Sequence, residues 1–103
     1  MMANQCYPVM RCVAIDVDDT LYRNGVLNAG LVRWLRERKT DGWETMLWSA
    51  RGSEYAKGAA ERAGITELFD VIISKPGVIV DDMGWGWTRY TKALLPTLDA
   101  TQQ

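Results

Sequence analysis

Residues 13–21, VAIDVDDTL, join an apolar run to a cluster of carboxylates. The run extends back to residue 9 (VMRCVAI, 9–15), and a short, mostly apolar segment of this kind predicts a buried strand. Asp16, Asp18 and Asp19 follow at the point where that strand is expected to end. The arrangement predicts a chemically active loop at the end of a core strand.

The segment after this loop carries two local folding signals. Asn24 and Gly25 stand between short apolar flanks, which predicts a tight hairpin over residues 22–27 because both turn positions need positive φ. Asn28 is a suitable N-cap, and apolar residues recur at helical spacing up to about Lys39, which predicts an amphipathic helix. Its expected buried face consists of Leu31, Trp34 and Leu35.

The rest of the chain alternates between strand and helix patterns. The predicted elements are a strand at 45–48, a helix capped by Ser53 that runs to about Ala63 and stops at Gly64, strands at 69–73 and 78–80, and a helix over about 88–95 closed by Pro96. Such alternation implies an α/β domain with a parallel sheet and right-handed crossovers. We therefore expect a single domain over residues 1–103 with about four core strands.

Polar residues follow each of these predicted strands. Ligands of parallel sheets bind beyond the carboxyl ends of the strands, so the polar residues are expected to meet in one site. They are Asp16 after the first strand, Ser49 after the second, Ser74 and Lys75 after the third, and Asp81 and Asp82 after the fourth.

The residue types in this predicted site favour phosphate chemistry. Two facing carboxylate clusters repel each other unless a cation lies between them, and oxygen ligands without histidine or cysteine favour Mg²⁺. Lys75 and the Ser49 hydroxyl add a positive charge and a donor, which suits a phosphoryl group. One carboxylate can attack phosphorus, and a neighbouring carboxyl can protonate the leaving oxygen and later activate water.

The composition excludes several other function classes. The 103 residues contain no histidine, which rules out Ser-His-Asp, Cys-His and H-E-x-x-H sites. A formal net charge of -1 gives no sign of a nucleic-acid or membrane surface, and no run approaches the roughly 20 apolar residues of a membrane span. The N-terminal residues lack the pattern of a secretion signal, and the spacing of Cys6 and Cys12 fits neither a zinc site nor a redox pair. We expect a cytoplasmic protein with reduced thiols.

The motifs together resemble the haloacid dehalogenase superfamily. Residues 13–21 look like its D-x-D-x-T signature, and Ser49 in MLWSAR looks like its second motif. Lys75 in ISKP resembles the third motif, and the acidic pair in VIVDD resembles the fourth. The resemblance covers roughly residues 10–83 and implies a small three-layer Rossmann-like sheet with the hairpin as a flap. Neither 21–28 nor 52–69 is long enough for a cap domain.

By this resemblance the chain is expected to be a Mg²⁺-dependent phosphatase that forms an aspartyl-phosphate. Asp16 is the expected nucleophile, Asp18 the expected general acid and base, and Lys75 a third expected catalytic residue. The Asp16 side chain, the Asp18 backbone carbonyl, and Asp81 or Asp82 are the expected Mg²⁺ ligands. The expected substrate contacts are Ser49, Ala50, Arg51 and Lys75, although Arg51 fits a contact with solvent or the helix start equally well. Family members without a cap often take bulky or macromolecular phosphates or borrow cover from a second subunit, so a homodimer is a further expectation.

Two other interpretations of the same residues stay open. A response-regulator receiver domain uses similar residue types, but its lysine comes last, whereas Lys75 precedes the acidic pair here. A degenerate relative that binds metal, phosphate or a partner protein without turnover is the other alternative. Trp85 and Trp87 fit core or interface packing as well as stacking on a base or sugar, and Asp19 fits a structural role in the loop.

Overall fold

The computed structural model describes residues 9–97. In this range the chain forms a small α/β arrangement of short strands, two α-helices and two 3-10 helices. In chain order the elements are β1 Cys12–Asp16, β2 Tyr22–Arg23, β3 Val26–Leu27, α1 Ala29–Thr40, β4 Glu44–Ser49, α2 Ser53–Ala63, a 3-10 helix at Thr66–Leu68, β5 Val71–Ser74 and a 3-10 helix at Gly84–Tyr90. The predictions about the N-terminal residues and Cys6 lie outside the described range, and Cys12 is a free cysteine.

The core of the fold is a parallel sheet with the strand order β1-β4-β5. Leu47 lies at its centre, opposite Ile15 of β1 and Ile72 of β5. Helix α1 lies between β1 and β4 in the chain and α2 lies between β4 and β5, so each parallel neighbour is reached through a helical crossover. The predicted α/β class with a parallel sheet is confirmed, but within residues 9–97 the sheet has three strands rather than about four.

The two faces of the sheet differ in burial. Leu47 of the sheet and Leu35 of α1 belong to the same apolar cluster, and both are 0% exposed. On the opposite face Val71 and Ile73 stay 43% and 44% exposed. By strand register this open face also carries Ala14, Met46 and Trp48. The described residues therefore form two layers. The predicted three-layer arrangement is not formed in this part of the chain, because the second face of the sheet is left uncovered.

The hairpin and the first helix form as their local signals predict. Asn24 and Gly25 both have positive φ, 53° and 76°, as the tight turn between β2 and β3 requires. The Asn28 side chain accepts a hydrogen bond from the Leu31 backbone N–H at 3.1 Å, which caps α1. Since these signals act over a few residues, they are independent of how the sheet assembles.

The second helix differs from its prediction at its start. Ser53 is the first helical residue, and the N-cap position is Gly52, which makes no side-chain cap hydrogen bond. At the other end Gly64 adopts the left-handed conformation with φ 67°, which confirms it as the predicted stop. The predicted cap at Ser53 is wrong by one position, because Gly52 already provides the sharp change of direction from strand to helix.

The predicted fourth strand at 78–80 is not formed. Val78 and Val80 are 81% and 99% exposed, and no strand lies between β5 and the end of the described range. A strand parallel to β5 must first be reached by a crossover of about a dozen residues or more, because the chain has to return along the sheet. Lys75, which follows β5, and Asp81 are separated by five residues, which is too few for a crossover and a strand.

The predicted helix over 88–95 is also wrong. The chain there forms a 3-10 helix at Gly84–Tyr90 that buries no residue, and Leu95 is left exposed. Most helical stability in proteins comes from packing an apolar face, and within residues 9–97 this 3-10 helix buries no side chain fully. Pro96 still contacts the fold, since its carbonyl accepts a hydrogen bond from the Asn28 side chain at 2.8 Å.

Asp70 ties the end of α1 to the sheet. Its carboxylate accepts a hydrogen bond from the Lys39 ammonium at 2.5 Å and from the Thr45 backbone N–H at 2.8 Å. The hydrogen bond from Lys39, followed by that from the Thr45 backbone, lowers the pKa of Asp70. A carboxylate with a lowered folded-state pKa stabilises the fold above its unfolded pKa, and this contribution is lost as the pH falls through the folded pKa.

Asp70→Asn is therefore expected to lower the free energy of unfolding at pH 7, where the Asp70 carboxylate is charged. The difference from the wild type is expected to shrink as the pH drops below about 4, near the unfolded pKa of an aspartate. Urea unfolding of both proteins between pH 7 and pH 3 measures this. A difference that does not change with pH contradicts a role for the Asp70 charge.

Candidate active site

The loop after β1 is anchored by two buried apolar side chains. Val17 and Leu21 are in the core, while Asp18 and Asp19 between them are exposed. The Val17 carbonyl accepts hydrogen bonds from the backbone N–H groups of Leu21 at 2.9 Å and Tyr22 at 3.1 Å. The loop is therefore anchored to the core by Val17 and Leu21, and its carboxylates lie at the carboxyl edge of the sheet. Asp19 has a φ of 61°, and its N–H closes the loop onto the Tyr22 carbonyl at 2.7 Å, which agrees with its predicted structural role.

Asp16 is the carboxylate at the centre of the site. Its Oδ1 lies 3.2 Å from the Lys75 ammonium, and its Oδ2 accepts a hydrogen bond from the Thr20 hydroxyl at 3.3 Å. The side chain is 33% exposed, so one side of the carboxylate is open to a ligand. A carboxylate whose two oxygens have different partners is held in one orientation, although an ion pair this exposed adds little stability.

Lys75 reaches Asp16 from the far strand of the sheet. It follows β5, and its backbone N–H donates to the Ser49 carbonyl at 2.9 Å. Ser49 and Ser74 are opposite each other in the β4–β5 register, which aligns the ends of the two strands. The Lys75 ammonium lies 5.9 Å from the centre of the Trp48 ring, so the lysine stem crosses the end of β4 on its way to Asp16. The three strand ends therefore meet at one edge, whereas the sequence predicts that four do.

Ser49 sits beneath a tight turn that links β4 to α2. Its side chain is buried, and its Oγ accepts a hydrogen bond from the Arg51 backbone N–H at 3.0 Å. The Gly52 N–H donates to the Ser49 carbonyl at 3.1 Å, which closes the turn. Gly52 has φ 107° and ψ 164°, a conformation that is essentially restricted to glycine. Ala50 is exposed at the tip of the turn, next to the buried hydroxyl.

Asp18 is bound by residues of the α2 side of the site. The Tyr55 hydroxyl donates to Asp18 Oδ1 at 2.5 Å, and Arg51 Nη1 lies 3.4 Å from Oδ2. Arg51 also donates to the Tyr55 hydroxyl at 3.0 Å, and its guanidinium lies 3.9 Å from the centre of the Tyr55 ring. Arg51 therefore contacts Asp18 and Tyr55 in addition to solvent, and its predicted contact with substrate stays a prediction.

The hydrogen bonds in this cluster shift two pKa values in opposite directions. The Tyr55 hydroxyl, with a smaller contribution from Arg51, lowers the pKa of Asp18 although partial desolvation opposes it. The same hydrogen bond raises the pKa of Tyr55, because its proton is held by the carboxylate. Both shifts favour a charged Asp18 beside a neutral Tyr55.

Asp81 and Asp82 are not part of this cluster. Both are exposed, and Asp81 Oδ1 accepts a hydrogen bond from the Met83 backbone N–H at 2.8 Å within its own turn. Among residues 9–97 no three acidic, cysteine or histidine side chains lie close enough together to hold a metal ion. The structure thus brings together Asp16, Asp18, Ser49, Arg51 and Lys75, but not the acidic pair. Trp85 is exposed near that pair, and Trp87 is half-buried.

The sequence motifs do not identify Tyr55 as a site residue. It lies in the first turn of α2, whereas Arg51 precedes the helix, so helical spacing between the two residues gives no signal for Tyr55. Its ring packs against the apolar core, while its hydroxyl contacts Asp18.

The arrangement can bind and attack an electrophile that carries negative charge. Asp16 is an oriented carboxylate, a group that is chemically able to act as a nucleophile, the Lys75 ammonium supplies the charge that an anionic group needs, and Asp18 is a second carboxylate within the same loop. Comparison with models of protein families gives no match for this chain. Comparisons with curated proteins and with solved structures give none either. Within residues 9–97 no helix is both long and apolar enough to cross a membrane.

Proposed function

We propose that this chain is a Mg²⁺-dependent phosphatase of the haloacid dehalogenase type that hydrolyses phosphomonoesters through an aspartyl-phosphate on Asp16. The observation that carries the proposal is the placement of Asp16 between the Lys75 ammonium at 3.2 Å and the Thr20 hydroxyl at 3.3 Å. These contacts join the first and third sequence motifs at the carboxyl edge of a parallel sheet. The same proposal makes the β2–β3 hairpin, which follows the Asp16 loop in the chain, the flap of the site.

The chemistry divides between two carboxylates. An Asp16 oxygen attacks phosphorus, the bond from phosphorus to the ester oxygen breaks, and Asp18 gives a proton to that leaving oxygen. In the second step water attacks the phosphorus, Asp18 takes the proton of the water, and the Asp16–phosphorus bond breaks to release inorganic phosphate. Lys75 and the turn from Ser49 to Arg51 bind the phosphoryl oxygens and balance their charge.

Mg²⁺ fits the donor chemistry of the site only in part. The Asp16 carboxylate and the Asp18 carbonyl are hard oxygen donors of the kind that Mg²⁺ prefers. The third expected ligand, Asp81 or Asp82, is outside the cluster, so the exposed segment 76–82 has to bring one of them to Asp16. When bound, Mg²⁺ supplies charge stabilisation for the phosphoryl oxygens.

The surroundings of the site favour large substrates. Asp16 and Asp18 lie at an open edge, and the loops on either side are too short to form a cap. We therefore propose a bulky or macromolecular phosphate ester as the substrate. The open face of the sheet, with Val71 and Ile73 exposed, supports a homodimer, and a cytoplasmic location is proposed on the sequence alone.

Release of p-nitrophenol from p-nitrophenyl phosphate tests the proposed function. Turnover is expected with Mg²⁺, and EDTA is expected to reduce it to the background rate until Mg²⁺ is added back. Since p-nitrophenolate is small and leaves readily, this substrate tests the reaction class without requiring the natural ester. Turnover that is insensitive to EDTA contradicts the metal dependence.

A second candidate function is a phosphate-binding or partner-binding module without turnover. The exposed position of Asp81 and Asp82, away from Asp16, is the observation that favours it. Such a module binds inorganic phosphate or vanadate through Lys75 but releases no product from any ester of a phosphate panel. Calorimetric phosphate binding together with absent turnover therefore distinguishes it from the enzyme.

A further inference from the structure

We propose that Tyr55 is a positioning residue that holds Asp18 for the second chemical step, the hydrolysis of the aspartyl-phosphate. The inference rests on the proposed function and adds to it a residue outside the four sequence motifs. Tyr55 touches neither phosphate nor Asp16 in this assignment. It acts through the Asp18 carboxylate alone.

The Tyr55 hydroxyl is itself held rigidly. Tyr55 lies in α2, its ring packs against the apolar core, and the next residue, Ala56, is fully buried against the sheet. The Arg51 guanidinium covers the ring at 3.9 Å and donates to the hydroxyl at 3.0 Å. Hydrogen bonds from groups fixed by packing restrict the orientation of a partner far more than those from mobile side chains. Asp18 is otherwise an exposed carboxylate on a loop.

The contacts hold Asp18 in the unprotonated form that a general base must have before the second step begins. Oδ1 receives the Tyr55 hydrogen bond at 2.5 Å and Oδ2 faces Arg51 at 3.4 Å, so both oxygens have donors beside them. A carboxylate surrounded by donors acts as an acceptor. In the second step a water oxygen bonds to phosphorus, the water proton passes to Asp18, and the phosphorus–Asp16 bond breaks with its electron pair returning to Asp16.

Kinetics with p-nitrophenyl phosphate separate the two steps. p-Nitrophenolate leaves without a proton, so kcat/KM reports formation of the aspartyl-phosphate, whereas kcat reports its hydrolysis once that step is slow. Tyr55→Phe is expected to leave kcat/KM within about twofold of the wild-type value, while kcat and KM both fall about tenfold. The fall in kcat is smaller than the roughly 10²–10⁴-fold that a positioned acid or base contributes, because Asp18 itself is still present. Phosphoprotein trapped by acid quench is expected to increase.

Tyr22→Phe is the matched control. Tyr22 also packs against the core with an arginine, Arg62, 5.5 Å from its ring centre, but it makes no hydrogen bond to Asp18 through its side chain. Tyr22→Phe removes the same hydroxyl group, and it is expected to change neither kcat nor the amount of phosphoprotein trapped by acid quench. Equal falls in kcat and kcat/KM for Tyr55→Phe, or no change in either, overturn the inference.

A double variant covers the case in which Tyr55→Phe perturbs the fold. If Tyr55 acts through Asp18, adding Tyr55→Phe to Asp18→Asn is expected to slow phosphoprotein decay by less than twofold beyond Asp18→Asn alone. If the two substitutions slow phosphoprotein decay independently, so that their factors multiply in the double variant, the inference is overturned. This outcome counts even when Tyr55→Phe alone is destabilised. The proposed function fails separately, through an active Asp16→Asn protein or a wild type that forms no phosphoprotein, so the two failures are distinguishable.

Discussion

Asp16→Asn is expected to abolish phosphatase turnover, with a fall in kcat by a factor of more than about 10⁴, the scale on which removal of a nucleophile acts. The amide oxygen is uncharged and cannot form the aspartyl-phosphate. The substitution removes almost no volume, and it leaves Lys75 and Thr20 in place beside the new side chain. Release of p-nitrophenol in the presence of Mg²⁺ and an acid-quench assay for phosphoprotein both measure the effect.

Loss of folding does not account for this expected loss of turnover. The Asp16–Lys75 ion pair is 33% and 38% exposed at its two side chains, and pairs of this kind contribute about 0–1 kcal/mol. Asp19→Asn is the matched control, because it makes the same chemical change in the same loop at an exposed residue. Asparagine tolerates the φ of 61° there, so the control is expected to fold and to keep its activity. Normal turnover by Asp16→Asn contradicts the proposed mechanism.

The elements that the sequence predicts correctly are those with local causes. The turn at Asn24 and Gly25 and the cap at Asn28 need only their immediate neighbours to form. The three core strands are predicted as well, although their ends are shifted. Phe69 starts the predicted third strand, whereas the observed β5 begins at Val71, because Phe69 packs into the core directly after a 3-10 helix.

The predictions that fail depend on packing partners distant in the sequence. The valines at 78–80 have strand-like character, but β-propensity is expressed only where a neighbouring strand is within reach. Leu95 has the spacing of a helix face, yet no apolar surface receives it in the described range. The placement of Asp81 and Asp82 near the metal site depended on that fourth strand, so this part of the predicted site is not assembled when the strand is absent.

In the candidate site, too, some contacts follow from the predicted topology and others depend on details of packing that the sequence does not reveal. Strand ends meet at one edge of any parallel sheet, so the proximity of Asp16, Ser49 and Lys75 follows from the predicted topology. The contact of Tyr55 with Asp18 depends on the rotation of α2 and on the exact length of the turn that ends at Gly52. The sequence misplaces the N-cap of α2 by one residue, at Ser53 instead of Gly52. An error of this size rotates the predicted helix by about 100°, so the side chains that face the loop cannot be predicted.

Leu47→Ala is expected to lower the free energy of unfolding by about 2–5 kcal/mol, the range measured for such truncations in cores. Leu47 is 0% exposed at the centre of the middle strand, between Ile15 and Ile72. The removed carbons leave a cavity that the flanking strands cannot close without breaking their hydrogen bonds. Domains of this size are stable by about 5–15 kcal/mol, so the variant loses a large share of its stability. Urea unfolding followed by tryptophan fluorescence measures the loss.

Ile73→Ala is the control that tests whether the loss of stability in Leu47→Ala arises from burial on the helix-covered face of the sheet. It removes the same number of carbons from the neighbouring strand, but Ile73 is 44% exposed on the opposite face. Because that side chain is already partly in water, less transfer free energy is lost and no closed cavity forms, so the expected loss is less than half that of Leu47→Ala. If both variants lose the same free energy of unfolding, Ile73 must be covered in solution, which contradicts the open face seen in residues 9–97. Concentration-dependent unfolding of the wild type then identifies a second copy of the chain as the cover, whereas concentration-independent unfolding places the cover within the same chain.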